Sequence, residues 1–255
     1  MLLVVDVGNT QTHFGVVRGG EIAEHWRFAT DRTSTSDELA ATLRSLLELR
    51  GLGFGEISAS IVSSTVPELA PQWTAAAQRY LGQEMLVVGP GLRTGMPIRM
   101  DNPRELGADR LVNAVAAWAR FRSACIVVDF GTAITYDVVS GEGEYLGGII
   151  APGIEISLEA LAVRAAKLSQ VELGEPRALI GKTTADAVRS GIVYGFAGQV
   201  DGIVARLRDE LGFDAPVVAT GGLAHHLVPA FTTSIGEADD LLTLEGLRLI
   251  WELNR

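Results

Sequence analysis

Cysteine is almost absent from this 255-residue chain. Cys125 stands alone, so no internal disulfide can form, and a reducing, cytoplasmic compartment fits. Long apolar runs are missing too. Apolar runs such as "IVV" before Asp129 and "GGIIAPG" at 147–153 fall far short of the roughly 20 residues a bilayer-crossing helix needs, so no membrane partner is expected. Residues 1–5 carry no basic segment, and Asp6 interrupts the apolar stretch that a secretory leader requires, so no export address is expected. Positive charge is scarce. With 21 Lys and Arg against 31 Asp and Glu the net charge is -10, and no basic cluster offsets it locally, which argues against nucleic acid as a partner. Low-complexity linkers and short-period repeats are absent as well.

What is present is an ordinary globular composition, 47% hydrophobic and 20% charged, enough for one large core or two fused lobes. An anionic ligand on so acidic a protein must be held by backbone N–H groups, a bound cation or a few placed arginines. Residues 2–5 read as a buried strand, and residues 12–30 as two more joined at Gly19-Gly20, a hairpin signal. Ser36 reads as the N-cap of a helix whose Leu39, Leu43, Leu46 and Leu47 share one face before Gly51 stops it. Strands over 57–64 and 84–89 flank a helix over 67–82, and a further helix runs from Leu106 to Arg122 with Leu111, Ala114, Val115 and Trp118 spaced for burial. The pattern then restarts. "CIVVDFG" (125–131) is a buried strand, 133–150 a hairpin turning at 141–143, and helices follow at about 153–166 and 183–211. A strand at 215–222 and an amphipathic helix at 239–253 close the chain. The order β-β-β-α-β-α thus occurs twice, in lobes of residues 1–116 and 117–255, each with a polar turn after its first strand.

Those turns carry the chemistry. Asp6-Val7-Gly8-Asn9-Thr10 and Asp129-Phe130-Gly131-Thr132-Ala133 each set a carboxylate at a strand end, then a glycine, then hydroxyl or amide side chains. Glycine permits a tight turn whose backbone amides approach an oxyanion, Asn and Thr add donors, and the carboxylate, which repels phosphate, holds a cation or water that does not. Two such turns facing one cleft would clamp a polyphosphate. One isolated Asp-x-Gly is equally a hairpin corner; the matched pair favours the first reading. Thr220-Gly221-Gly222 again places glycines between a strand and a helix. "GKTT" at 181–184 is no phosphate loop of the Walker type, because residue 176 is Pro where that motif needs Gly. His225-His226 lack Cys or carboxylate at ligand spacing and read as a loop pair rather than a metal site. Cys125 reads as a small core residue.

With "DVGNT" (6–10), "DNPRELGADR" (101–110), "DFGTA" (129–133), "GGIIAPG" (147–153), "GKTTADAVRSG" (181–191) and "TGG" (220–222), the chain resembles the type III pantothenate kinases, within the superfamily of sugar kinases, actin and heat-shock chaperones. The resemblance implies an α/β, duplicated ribonuclease-H-like (actin-like ATPase) fold with a central cleft. It implies transfer of the terminal phosphoryl of ATP to the primary hydroxyl of pantothenate, the first step towards coenzyme A, by a homodimer using Mg2+ and K+ or NH4+. By the same resemblance Asp109 is the general base, where the residue pattern alone allows a first-turn Asp favouring the helix dipole. Arg110 anchors the substrate carboxylate, where a surface ion pair is the plainer reading. Met100, Gly107, Ala108 and Thr184 also line the substrate, although Thr184 by pattern alone is a helix N-cap, and Met100 stands where the family often has tyrosine, so the pocket loses a hydrogen bond there. The ATP site comprises Asp6, Val7, Gly8, Asn9, Thr10, Gln11, Thr12 and His13 with Gly131, Thr132, Gly221 and Gly222. Asp6 lies near the Mg-phosphate group, Asp129 holds the monovalent cation, and His13 has little weight as a catalyst. Two other classes share these turns: a hydrolase in which water replaces the alcohol, and a non-enzymatic ATP-binding module. Gly191, Gly195, Phe196 and Gly198 on the helix over 183–211 suit close helix packing, against either a second copy or an intrachain partner.

Overall fold

The computed structural model describes residues 1–164, 171–223 and 229–255. They form two compact units, one of residues 1–116 with 241–255 and one of residues 117–240. In chain order the first unit holds β1 (Leu2–Val7), β2 (Gln11–Arg18), β3 (Glu21–Ala29), α1 (Ser36–Glu48), β4 (Ala59–Ser64), α2 (Leu69–Ala76), β5 (Met85–Val87) and the start of α3 (Ala108–Phe121). The second holds β6 (Cys125–Phe130), β7 (Ala133–Val139), β8 (Tyr145–Pro152), α4 (Ile154–Arg164), α5 (Thr184–Leu211), β9 (Val217–Thr220) and β10 (Glu237–Ala238). The closing helix, α6 (Leu242–Asn254), returns to the first.

Each unit is built on a five-stranded mixed sheet, ordered β3-β2-β1-β4-β5 in one and β8-β7-β6-β9-β10 in the other. The pairings match: the first strand of each runs antiparallel to the next and parallel to the strand that returns after the helices. The fold is a duplicated two-lobe α/β fold. Side-chain alternation explains the cores. Leu3, Val5 and Val7 of β1, with Phe14, Val16 and Val62, face Leu39, Leu43 and Leu47 of α1 and Leu69 and Trp73 of α2. Ile126, Val128 and Phe130 of β6 take the same role against Ile154 of α4 and Ile192, Val200 and Val204 of α5. Spacing of three and four along α1 and α5 matches the period of two along the strands, so both patterns bury one side.

The hairpin at Gly19-Gly20 forms as expected, both residues having positive φ (65° and 92°), which the tight two-residue turn requires. Other boundaries move. The cap of α1 is Thr35 rather than Ser36: its side chain accepts the N–H of Glu38, and the Glu38 carboxylate accepts the N–H of Thr35, a reciprocal box that Ser36 cannot make. The helix over 67–82 starts at Leu69, loosens into a π-helical turn at 77–81 and stops at Gly82, φ 66°. The two residues of β10 are too few to show any periodicity.

The largest correction concerns α6. Read from the sequence it closes the second lobe; in the structure it packs on β1, β2 and β4 of the first. Residues of β1 that point away from α1 and α2, such as Leu2 and Val4, are apolar and buried, so the first sheet needs cover on both faces, and the apolar side of α6 supplies it. Helices α3 and α6 touch at Gly246, where any Cβ would collide with the Val112 carbonyl, and Thr243 Oγ1 donates a buried 2.7 Å hydrogen bond to Asn113 Oδ1. Gly246→Val should therefore lower the urea midpoint of unfolding by an amount corresponding to about 1–3 kcal/mol, the usual cost of overpacking, and an unchanged midpoint would show that the helices can separate freely.

Candidate active site

The first acidic corner is set by strand register. Asp6 lies opposite His13 on β2 and Ser63 on β4, so the three side chains share one face of the sheet. The turn that follows closes on its own glycine: the Gly8 N–H donates to the Gln11 carbonyl at 3.0 Å, and a Cβ on Gly8 would stand 2.9 Å from that oxygen. Val7 buries its side chain in the core and gives its carbonyl to Thr65 N–H and Oγ1, at 2.9 and 3.1 Å. Asn9, Thr10 and Gln11 are exposed, Asn9 Oδ1 accepting from Arg32 at 2.8 Å. Thr12 is buried against Thr30, 2.9 Å between hydroxyls. His13 is buried, 3.2 Å from His25 Nδ1. Burial, then the charge of Arg27 and the neighbouring His25, lower its pKa to about 3. A neutral, enclosed imidazole is part of the sheet's packing and no acid or base at neutral pH.

The second corner repeats the first. Asp129 lies opposite Thr135 on β7 and Thr220 on β9, and the Gly131 N–H closes its turn on the Ala133 carbonyl at 3.1 Å. The first glycine amide of both turns is thus consumed by the turn itself, and Thr132, the residue after the second, is exposed. Two distant glycines press on this corner. Gly153 donates its N–H to the Thr132 carbonyl at 3.1 Å, and any Cβ on it would strike that oxygen. Gly221, φ 96°, lies so close to Asp129 Oδ1 and the Phe130 carbonyl that no side chain fits. Gly222 beside it is exposed. His225 and His226 lie outside the described residues.

Asp109 opens α3. The DNPRE stretch before it folds on itself, Asn102 accepting from the Arg104 N–H at 3.3 Å and donating to Glu105 at 2.7 Å. Gly107 leaves room for the Asp109 carboxylate, which folds back to 2.5 Å from where a Gly107 Cβ would be. Burial raises the Asp109 pKa; the Arg110 N–H, the Arg110 charge and its own N–H oppose this only in part. Arg110 is itself buried, 9% exposed, and Met100 and Ala108 are half-buried. Thr184 sits exposed at the first residue of α5, in the second unit. Its neighbour Thr183 is the cap, accepting the Asp186 N–H at 3.1 Å, so the Thr184 hydroxyl has no capping duty. Among the described residues no three His, Cys, Asp or Glu side chains gather as a metal cage.

The family model for type III pantothenate kinases matches residues 2–206. The chain belongs to that family. It is 51% identical over 254 residues to the type III pantothenate kinase of Moorella thermoacetica, covering the whole of both chains. Among solved structures, the ethanolamine utilization protein EutJ of Carboxydothermus hydrogenoformans superposes with a TM-score of 0.58 at 17% identity, over 97% of this chain and 89% of that one. The ROK hexokinase of Thermus thermophilus does so at 0.51 and 15%, over 99% of each. At such identities these two speak for the fold alone. A member of the type III pantothenate kinases is a phosphotransferase, and ATP as co-substrate is consistent with that family.

Three residues of this family member escaped the sequence reading: Ser63, Thr220 and Gly153. Gly153 and Thr220 fall inside motifs read as family markers, with no role attached. Aligning the two halves on their aspartates, with the parallel neighbour β4 of the first matched to β9 of the second, is the signal that would have singled out Ser63 and Thr220. For His13, the unfolded chain binds a proton below about pH 6.5 while the folded chain refuses it down to about 3. Stability present above pH 6.5 is therefore lost as pH falls towards 3, at up to about 1.4 kcal/mol per pH unit. Urea titrations between pH 7 and 5 should show this slope, and His13→Gln should flatten it.

Proposed function

We propose that this type III pantothenate kinase transfers the terminal phosphoryl of ATP to the primary hydroxyl of pantothenate, giving ADP and 4'-phosphopantothenate, the first step towards coenzyme A. The observation that carries the mechanism is the pair Asp109–Arg110 above Gly107. Asp109 takes the proton of the attacking hydroxyl, whose oxygen forms the new bond to the phosphorus as the bond to the ADP oxygen breaks. Its raised pKa suits a base, because a carboxylate disfavoured by burial accepts a proton more readily. Arg110, buried beside it, binds the pantothenate carboxylate through its planar fork. Gly107 keeps the approach open, and Met100, Ala108 and Thr184 contact substrate.

Asn9, Thr10 and Gln11, in a stretch running from Asp6 to His13, and Gly131, Thr132, Gly221 and Gly222 bind ATP, with Val7, Thr12 and His13 contributing through backbone and packing. The corners fit cations: carboxylate and hydroxyl oxygens are the hard donors that Mg2+ and K+ or NH4+ take, and at Asp129 a glycine at 221 is required because any Cβ there would collide with the carboxylate. Asp6 would hold the Mg-phosphate group, phosphate and water supplying the remaining oxygens, and Asp129 the monovalent ion. Such cations supply charge neutralisation for the phosphates. No helix among the described residues is long and apolar enough to cross a membrane; we propose the cytoplasm as the place of action.

Asp109→Asn should lower kcat by about 10²–10⁴-fold while binding of ATP is unchanged and the melting temperature is equal or higher, since the amide removes a charge that burial disfavours. In the wild type, kcat should fall as pH drops through a value above the ordinary carboxylate range, the deprotonated base being lost. ADP release in Mg2+ and K+ buffer should depend on pantothenate; phosphate release without pantothenate would indicate a hydrolase, and retained turnover by Asp109→Asn would remove it as the base.

We also infer a homodimer. Along α5, Gly191, Gly195 and Gly198 have no described atom within 4 Å of where a Cβ would be, which disfavours an intrachain partner for that stripe. The outer strand β8 exposes Ile150 (64%), and Val163 of α4 is 73% exposed. Small residues and uncovered apolar surface together suit a second copy. Sedimentation velocity should give twice the chain mass, and Gly195→Arg should shift it to the monomer; a monomeric wild type would overturn the assignment.

A further inference from the structure

The two corners share more than their aspartates. On the strand parallel to each, the residue in register with the carboxylate is a hydroxyl, Ser63 beside Asp6 and Thr220 beside Asp129. Both are 0% exposed. Neither side-chain oxygen has a hydrogen-bond partner among the described residues. A buried hydroxyl without a partner costs about 1–3 kcal/mol, and such groups are few in native proteins. Ala or Val would pack at these places without that penalty. Here the costly choice is made twice, at equivalent positions of a duplicated sheet.

Alternation shows which way the hydroxyls face. Their chain neighbours Val62 and Ala219 enter the apolar cores of the first and second units, so Ser63 and Thr220 lie on the opposite face, the one that carries Asp6 and Asp129. Adjacent strands run about 4.8 Å apart, close enough for one small ion or water to touch an oxygen of each residue. A carboxylate only accepts hydrogen bonds, whereas a hydroxyl both donates and accepts. Side by side they form a mixed seat that suits a hydrated hard cation or the water it carries.

We propose that Ser63 and Thr220 are positioning residues, each the second oxygen donor, with Asp6 and Asp129 as the first, for the cation-bound water that accompanies the nucleotide phosphates. This rests on the reading of the two aspartates as nucleotide and cation corners. The cost of the orphaned hydroxyl in the free protein is then recovered on binding, which distinguishes a ligand-facing hydroxyl from one that only packs.

The test uses the full chain carrying Ser63→Ala or Thr220→Val, the conservative Ser63→Thr and Thr220→Ser, and Asp6→Asn and Asp129→Asn as controls. The probe is a non-hydrolysable ATP analogue with MgCl2 and KCl, read by calorimetric titration and by melting temperature with and without ligand. Ser63→Ala and Thr220→Val should melt at or above the wild-type temperature when ligand-free, yet bind the analogue about five- to tenfold more weakly, the value of one hydrogen bond. The conservative variants should recover the affinity. A ligand-free melting temperature lowered by several degrees with unchanged binding would make the hydroxyls structural and overturn the inference. If the aspartate variants weaken binding and the hydroxyl variants do not, this inference alone fails. If the aspartate variants bind as tightly as wild type, the reading of the corners fails with it.

Discussion

A carboxylate at the end of an otherwise apolar strand is expensive to keep, and both halves of this molecule are organised around one. Asp6 and Asp129 occupy the same place in β1 and β6, one residue before the strand ends. Everything nearby follows from holding them there. The preceding residues are buried hydrophobics that hold the strand at the centre of its sheet. The following glycines let the chain reverse tightly, each donating its N–H within its own turn. The parallel neighbour, reached only after the intervening helices, brings a hydroxyl alongside. Glycine at 221 then lets a third turn lie against Asp129 where any side chain would collide with it.

The same economy appears at Asp109. Burial raises its pKa, so the charged form is held at a cost to the fold, and the neighbouring Arg110 offsets part of it. Strain of this kind is tolerable because the surrounding helix is fixed independently: α3 is buried on nearly all sides from Arg110 to Ala117, and the Asn113–Thr243 hydrogen bond and the Gly246 contact tie it to α6. His13 shows the opposite resolution. Its burial lowers the pKa to about 3, so the ring remains neutral and contributes packing, which explains why a histidine one strand from Asp6 is no candidate for proton transfer.

Much of this was legible in advance, for reasons tied to local chemistry. The Gly19-Gly20 hairpin, the leucine face of α1 and the strand-Asp-x-Gly corners all depend on near neighbours in the chain, so they leave periodic or compositional traces. The N-cap was misplaced by one residue because Thr35 and Ser36 are both competent caps, and only the reciprocal bond from Glu38 decides between them. The lobe assignment of α6 could not be read locally. An amphipathic helix shows that it has an apolar side; it does not show which sheet lacks cover.

The sequence by itself determined the three-strand opening of each half, the two acidic corners and the family, since each rests on residue types at short, regular spacing. The expected repeat of β-β-β-α-β-α fails in the second half, where α4 and α5 follow one another before β9. Only the tertiary structure decided that Ser63 and Thr220 stand beside the aspartates, that Gly153 and Gly221 close upon the second corner, and that α6 belongs with the first unit. Those are relations between segments many residues apart, and register across a parallel sheet is set by how the intervening helices pack, which no short stretch of chain encodes.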